Sequence, residues 1–127
     1  KPLAGLSKLE GLQLQGNRIV SLKPLAGLTR LDRLNLSRNQ IANLAPLKNL
    51  VKLERLNLIN NNITNLRALA NLVELQWLAL NFNQITNLKP LTGLKKLKVL
   101  MLTGNTDLED SEVEKIEELL PDCSIEY

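Results

Sequence analysis

The chain of 127 residues predicts an α/β fold: a right-handed solenoid curved into a horseshoe, with a parallel sheet on its concave face and a C-terminal helical cap. Three observations carry this expectation. Asn17, Asn39, Asn61, Asn83 and Asn105 recur every 22 residues. Each follows the same pair of leucines: Leu12 and Leu14, Leu34 and Leu36, Leu56 and Leu58, Leu78 and Leu80, Leu100 and Leu102. After Leu108 the repeat stops and an acidic, helix-like segment begins.

The elements follow in chain order. Lys1 to Leu6 reads as the second half of a repeat, because Leu3 and Leu6 need a preceding coil to cover them. That uncovered edge predicts missing upstream repeats or an absent N-terminal cap, or an edge buried by another molecule. From there five repeats occupy residues 1–106. In each, the alternating leucine pair points both side chains to one face of a short strand. Leucine at every third position, as in Leu22, Leu25, Leu28 and Leu31, suits a tight connection returning behind the strand. Neither half can bury its leucines alone, so stacked repeats share one core and stabilise each other. Where the chain leaves the strand, the Asn carboxamide offers donors and an acceptor to turn backbone that would otherwise be buried unpaired. A structural ladder of Asn17, Asn39, Asn61, Asn83 and Asn105 is expected. Residues 107–127 form a second segment. Ser111 and Glu114 read as a capping box, Val113, Ile116 and Leu120 fall on one helical face, and Pro121 ends the helix. An extended piece over Ser124 to Tyr127 follows, and Cys123 reads as a small buried apolar residue.

The frame LxxLxLxxNxI at this period resembles the leucine-rich repeat family. Segments such as Asn39 to Leu50 and Asn83 to Leu94 look like the 22-residue class of bacterial internalins, and the leucine-rich regulatory subunit of a Ser/Thr protein phosphatase is similar. The resemblance to internalins implies a partner-binding concave face and a secreted or cell-surface bacterial setting; the compartment is otherwise unknown.

Composition narrows the function. Leu and Asn, 32 and 15 residues, exceed a third of the chain, whereas His is absent and Cys, Trp, Tyr and Phe occur once each. Without His or clustered acids on the expected binding face, no proton-transfer pair, triad or zinc set is assembled. The chain is expected to be no enzyme, with no cofactor and no metal. The acids Asp107, Glu109, Asp110 and Glu112 lack the glycine turn and ligand order of a calcium loop. No apolar run reaches membrane-spanning length, so no membrane insertion is expected. Residues 1–106 hold 15 basic and 4 acidic side chains, net +11, and residues 107–127 hold 1 and 9, net −8. The basic solenoid leaves polyanion binding open, but its two aromatic residues offer too few stacking platforms to favour nucleic acid.

Outward positions of the inner wall are not fixed by the core pattern, so they report on use. One column reads Gly11, Arg33, Arg55, Trp77, Val99 and the next Gln13, Asn35, Asn57, Ala79, Met101. Trp77, Val99 and Met101, with Ile59 and Phe82 nearby, form an apolar patch beside Arg33, Arg55 and Arg38. Asn57 lies in the same field. The leading expectation is a protein-protein interaction module that binds another protein there, since Trp and Arg dominate binding energy at interfaces. A competing expectation stacks Trp77 on Arg55 and folds Phe82 back toward the core. The alternative function is a structural repeat array that self-associates through its open N-terminal edge.

Overall fold

The computed structural model describes residues 6–127, so the expectations for Lys1 to Gly5, Leu3 included, lie outside the described residues. Strands β1 (Gly11–Gln13), β2 (Arg33–Asn35), β3 (Arg55–Asn57), β4 (Trp77–Ala79) and β5 (Val99–Met101) lie side by side in chain order and pair in parallel. The register is one full repeat throughout, Leu34 opposite Leu56 and Leu56 opposite Leu78. Because successive strand residues face opposite sides, this register stacks the leucine pairs on one face and the variable residues on the other. Leu34, Leu36, Leu56, Leu58, Leu78, Leu80, Leu100 and Leu102 are buried.

The return path explains leucine at every third position. The N–H groups of Leu25, Leu28 and Leu31 donate to the carbonyls of Leu22, Leu25 and Leu28 at 2.9, 3.0 and 3.2 Å. These are i to i+3 bonds, the geometry in which every third side chain shares one face. Short 3-10 helices result at Lys23–Leu25, Ala45–Leu47, Arg67–Leu69 and Lys89–Leu91. Pro24, Pro46 and Pro90 sit in their first turns, where a fixed φ and a missing N–H cost nothing. The side-chain oxygens of Asn43, Asn65 and Asn87 accept the N–H two residues on, at 2.8–3.0 Å, and so set the entry into each turn.

Between strand and return path stands the asparagine column. Asn39, Asn61 and Asn83 each donate from Nδ2 to the carbonyls of their own and the preceding coil, and accept a backbone N–H of the preceding coil on Oδ1. Asn105 does the same with Leu80, Leu102 and Ile85. Asn17 differs: it is exposed and, among the described residues, bonds only to Leu14 and Gln15 of its own coil.

The C-terminal end departs from the expected local detail. Helix α1 (Asp110–Leu119) begins after Glu109, which has extended backbone and makes no capping hydrogen bond. Ser111 therefore lies inside the first turn, and the expected capping box does not form. Asp110 and Glu112 in that turn favour the helix start through its dipole, and Glu112 Oε2 accepts the Leu88 N–H at 3.3 Å. Val113, Ile116 and Leu120 are buried against the last coil. The final extended piece is a sixth strand of the same sheet, β6 (Ser124–Glu126), parallel to β5 with Leu100 opposite Ile125. Cys123 is half-buried rather than buried. Tyr127 Oη donates to Leu108 O at 2.6 Å or to Asp110 Oδ1 at 2.8 Å, tying the strand to the start of the cap.

Candidate functional site on the concave sheet face

The outward column Gly11, Arg33, Arg55, Trp77, Val99 is continuous, each residue opposite the next. Its side chains do not stand alone. Arg33 leans toward Gly11, where a Cβ would meet its Nη2 at 3.0 Å, and its Nε donates to Asp32 Oδ1 at 3.0 Å. Arg55 turns the other way and lays its guanidinium over the Trp77 ring, 4.7 Å from the centroid. The stacking expected of Trp77 is therefore present, and it holds the indole half-buried on the outward face. Between the two arginines lies a concavity of about 170 Å³, lined by Gln13, Arg33, Leu34, Asn35, Arg55, Asn57 and Trp77.

The adjacent column explains the asparagines. Asn35 Oδ1 accepts the Ser37 N–H and hydroxyl at 3.1 and 2.9 Å, and Asn57 Oδ1 accepts the Ile59 N–H at 3.1 Å. Asn57 thus braces the strand exit, and its Nδ2 makes no hydrogen bond among the described residues. Val99, Met101 and Ile59 are half-buried. In the fourth repeat Ala79 stands where Asn35 and Asn57 stand, and it has no acceptor to give. The Asn81 N–H forms no hydrogen bond among the described residues, and Asn81 Oδ1 is buried without a partner. Asn81 itself is only 8% exposed.

The residue after each strand exit has positive φ: Gly16 72°, Arg38 57°, Asn60 61°, Phe82 59° and Gly104 88°. A left-handed turn of this kind suits Gly and Asn and strains a bulky side chain. The signal for it was present in Gly16, Asn60 and Gly104, but Arg38 and Phe82 masked it. Phe82 does not fold back toward the core. It is 56% exposed, and its ring occupies the space where a side chain at residue 104 would sit. Arg38 lies likewise toward Gly16, at 3.5 Å from its Cβ direction.

Among the described residues no group of three or more Cys, Asp or Glu side chains converges to hold a metal ion. None of their helices is long and apolar enough to cross a membrane.

Residues 7–49, 29–71 and 73–119 each match the family described as leucine rich repeats, two copies. The chain belongs to the leucine-rich repeat family. An internalin of Listeria monocytogenes (inlF) superposes with a TM-score of 0.88 at 35% identity, over 94% of this chain and 34% of that one. Internalin C2 of the same species gives 0.79 at 44% identity, over 80% and 45%. The repeat chain thus spans between a third and a half of the length of these internalins. A chain of the Drosophila melanogaster SNF/U2A' complex gives 0.76 at 25% identity, over 92% and 72%. No curated protein sequence matches significantly. Proteins of this leucine-rich repeat class are typically interaction modules.

Proposed function

We propose that this leucine-rich repeat protein is a non-enzymatic module that binds a partner protein through the concave face of its sheet. Trp77 and Arg55 form the anchor, flanked by Val99, Met101, Ile59 and Phe82 on one side and by Arg33, Asn57 and Arg38 on the other. One observation carries the reading. The single Trp of the chain faces outward from β4, ordered by the Arg55 guanidinium at 4.7 Å, at a position where the fold requires no aromatic side chain. A pre-ordered Trp beside Arg is the composition of an interface hot spot, because little rotamer entropy remains to be lost on binding. The strained, exposed Phe82 supports it: a ring kept in a conformation that glycine adopts at lower cost has a use on the surface. Similarity to Listeria internalins is in keeping with a bacterial, secreted or cell-surface setting.

Trp77→Ala is expected to weaken partner binding more than tenfold while lowering stability by only about 1 kcal/mol, the worth of the exposed stack. The measurement is a pull-down from the native source with the wild type and with a Trp77→Ala/Arg55→Ala variant, followed by titration of any protein that differs. Retention of the same proteins by both forms at equal affinity would remove the concave face from consideration.

A further inference from the structure

We infer that the concavity between Arg33 and Arg55 is a carboxylate seat, which takes the side chain of an acidic residue from a polypeptide partner. The inference rests on the concave-face reading above and specifies its chemistry.

The hydrogen-bond pattern around the concavity is one-sided. Three side-chain acceptors line it, and all are engaged within the protein. Gln13 Oε1 accepts from Asn35 Nδ2 at 3.3 Å, Asn35 Oδ1 serves Ser37, and Asn57 Oδ1 serves Ile59. The groups left over are donors. Asn57 Nδ2 and Gln13 Nε2 make no hydrogen bond among the described residues, and neither does the Arg55 guanidinium, which is held by the Trp77 ring instead. Arg33 commits only Nε to Asp32, at 3.0 Å, and keeps both Nη groups. A depression lined by free N–H groups and two guanidiniums recognises an oxyanion.

The charge balance agrees. Arg33 and Arg55 are strand neighbours in register, so two positive charges stand on the same stretch of the inner wall. Asp32 is the one carboxylate that touches either guanidinium among the described residues, and it does not line the concavity but belongs to the neighbouring depression. Glu10, Glu54 and Glu74 line that depression with Arg30 and Lys52. Gly11 contributes space, since a side chain there would push against the Arg33 guanidinium.

The surroundings select a carboxylate on a polypeptide. Trp77 lines the concavity, so the methylenes of an acidic side chain meet apolar surface there as its oxygens reach the free N–H groups. From Trp77 the column runs on to Val99, a place for an apolar side chain of the same partner segment.

The test uses two pentapeptides, Ac-Ala-Glu-Ala-Leu-Ala-NH2 and its Gln counterpart, titrated into the 15N-labelled protein. The Arg33 and Arg55 Nε–H and Trp77 indole signals are followed. The Glu peptide is expected to shift all three saturably, to bind at least about fivefold more tightly than the Gln peptide, and to weaken about threefold between about 50 and 300 mM salt. Arg33→Gln, which leaves the Arg55–Trp77 stack in place, is expected to remove the difference between peptides without changing the melting temperature. Equal binding of the two peptides, an unaltered preference in Arg33→Gln, or no arginine response to either would overturn the seat. Displacement of the Glu peptide by inorganic phosphate at lower concentration than by acetate would overturn its assignment to carboxylate. If both peptides move the Trp77 indole but neither moves the arginines, the seat fails and the concave-face reading stands.

Discussion

Asn61 donates from Nδ2 to the carbonyls of Leu36 and Leu58, both at 3.0–3.1 Å, and accepts the Ile41 N–H on Oδ1 at 3.0 Å. Asn61 is only 5% exposed, so truncation to Ala leaves buried backbone groups of two coils unpaired. Asn61→Ala is expected to cost about 1–3 kcal/mol in urea unfolding, and Asn17→Ala under about 1, because Asn17 is exposed and serves one coil. Equal losses at the two positions would mean that the column acts locally instead of joining coils. Asn81 has the opposite sign. Its Oδ1 is buried and unpartnered, and in the preceding repeat Ile59 occupies the same position with an apolar side chain. Asn81→Ile is therefore expected to raise stability by about 1 kcal/mol, as an unpaired buried carboxamide is removed. A loss of stability, read from the same unfolding curves, would show that the carboxamide is satisfied in solution.

Among the elements, the C-terminal cap carries the titratable groups whose environment matters. Burial pushes the Cys123 thiol up from its ordinary value of 9.0 to about 11. Tyr127 is raised first by its hydrogen bond to Asp110, then by desolvation and by the negative charges of Asp110 and Glu109. Both are acids whose neutral form the folded state prefers. Their contribution is complete below the unfolded values and is lost as pH climbs through the raised ones. The melting temperature is expected to fall between about pH 9 and 11, and less steeply in a Cys123→Ala/Tyr127→Phe variant. Identical slopes would place the alkaline sensitivity elsewhere. The cap also marks where sequence reasoning thins. Strands β1 to β5, the asparagine column and the apolar face of α1 were legible because each repeats or keeps a strict spacing. Strand β6 was legible only as an extended piece, since Ser124 to Glu126 has no leucine pair and owes its pairing to β5. The helix start was misplaced at Ser111, where dipole charge near Glu109 and Asp110 outweighed the capping pattern. In the candidate site, the outward columns followed from alternation, whereas the direction each arginine leans depended on which neighbour is Gly or Trp.

At the scale of the whole molecule the core is one continuous leucine column, but its two ends differ. At the C-terminal side α1 and β6 close it, and Leu100, Leu102 and Leu108 are buried. Toward the other side Leu9, Leu12, Leu14 and Ile19 are only partly buried, and Leu6 is 46% exposed. In a solenoid, stability is close to a sum over neighbouring coils, so a coil whose leucines are only partly buried opens more readily than one whose leucines are fully buried. Leu56, buried between β2 and β4, and Leu12, its counterpart two repeats earlier, make a matched pair. Leu56→Ala is expected to cost about 2–5 kcal/mol and Leu12→Ala less than about half of that, since the second removes less buried surface and its site relaxes into solvent. Hydrogen exchange should show the same gradient. The Leu14 N–H, bonded to Asn35 O, is expected to exchange faster than the Leu80 N–H, bonded to Met101 O at a similar length of 2.8–2.9 Å. Because the two bonds are alike, a difference in protection reports the opening of coils and not bond strength. Uniform protection along the sheet, with equal costs for the two leucines, would mean that the molecule opens all at once and that its ends are equally well covered.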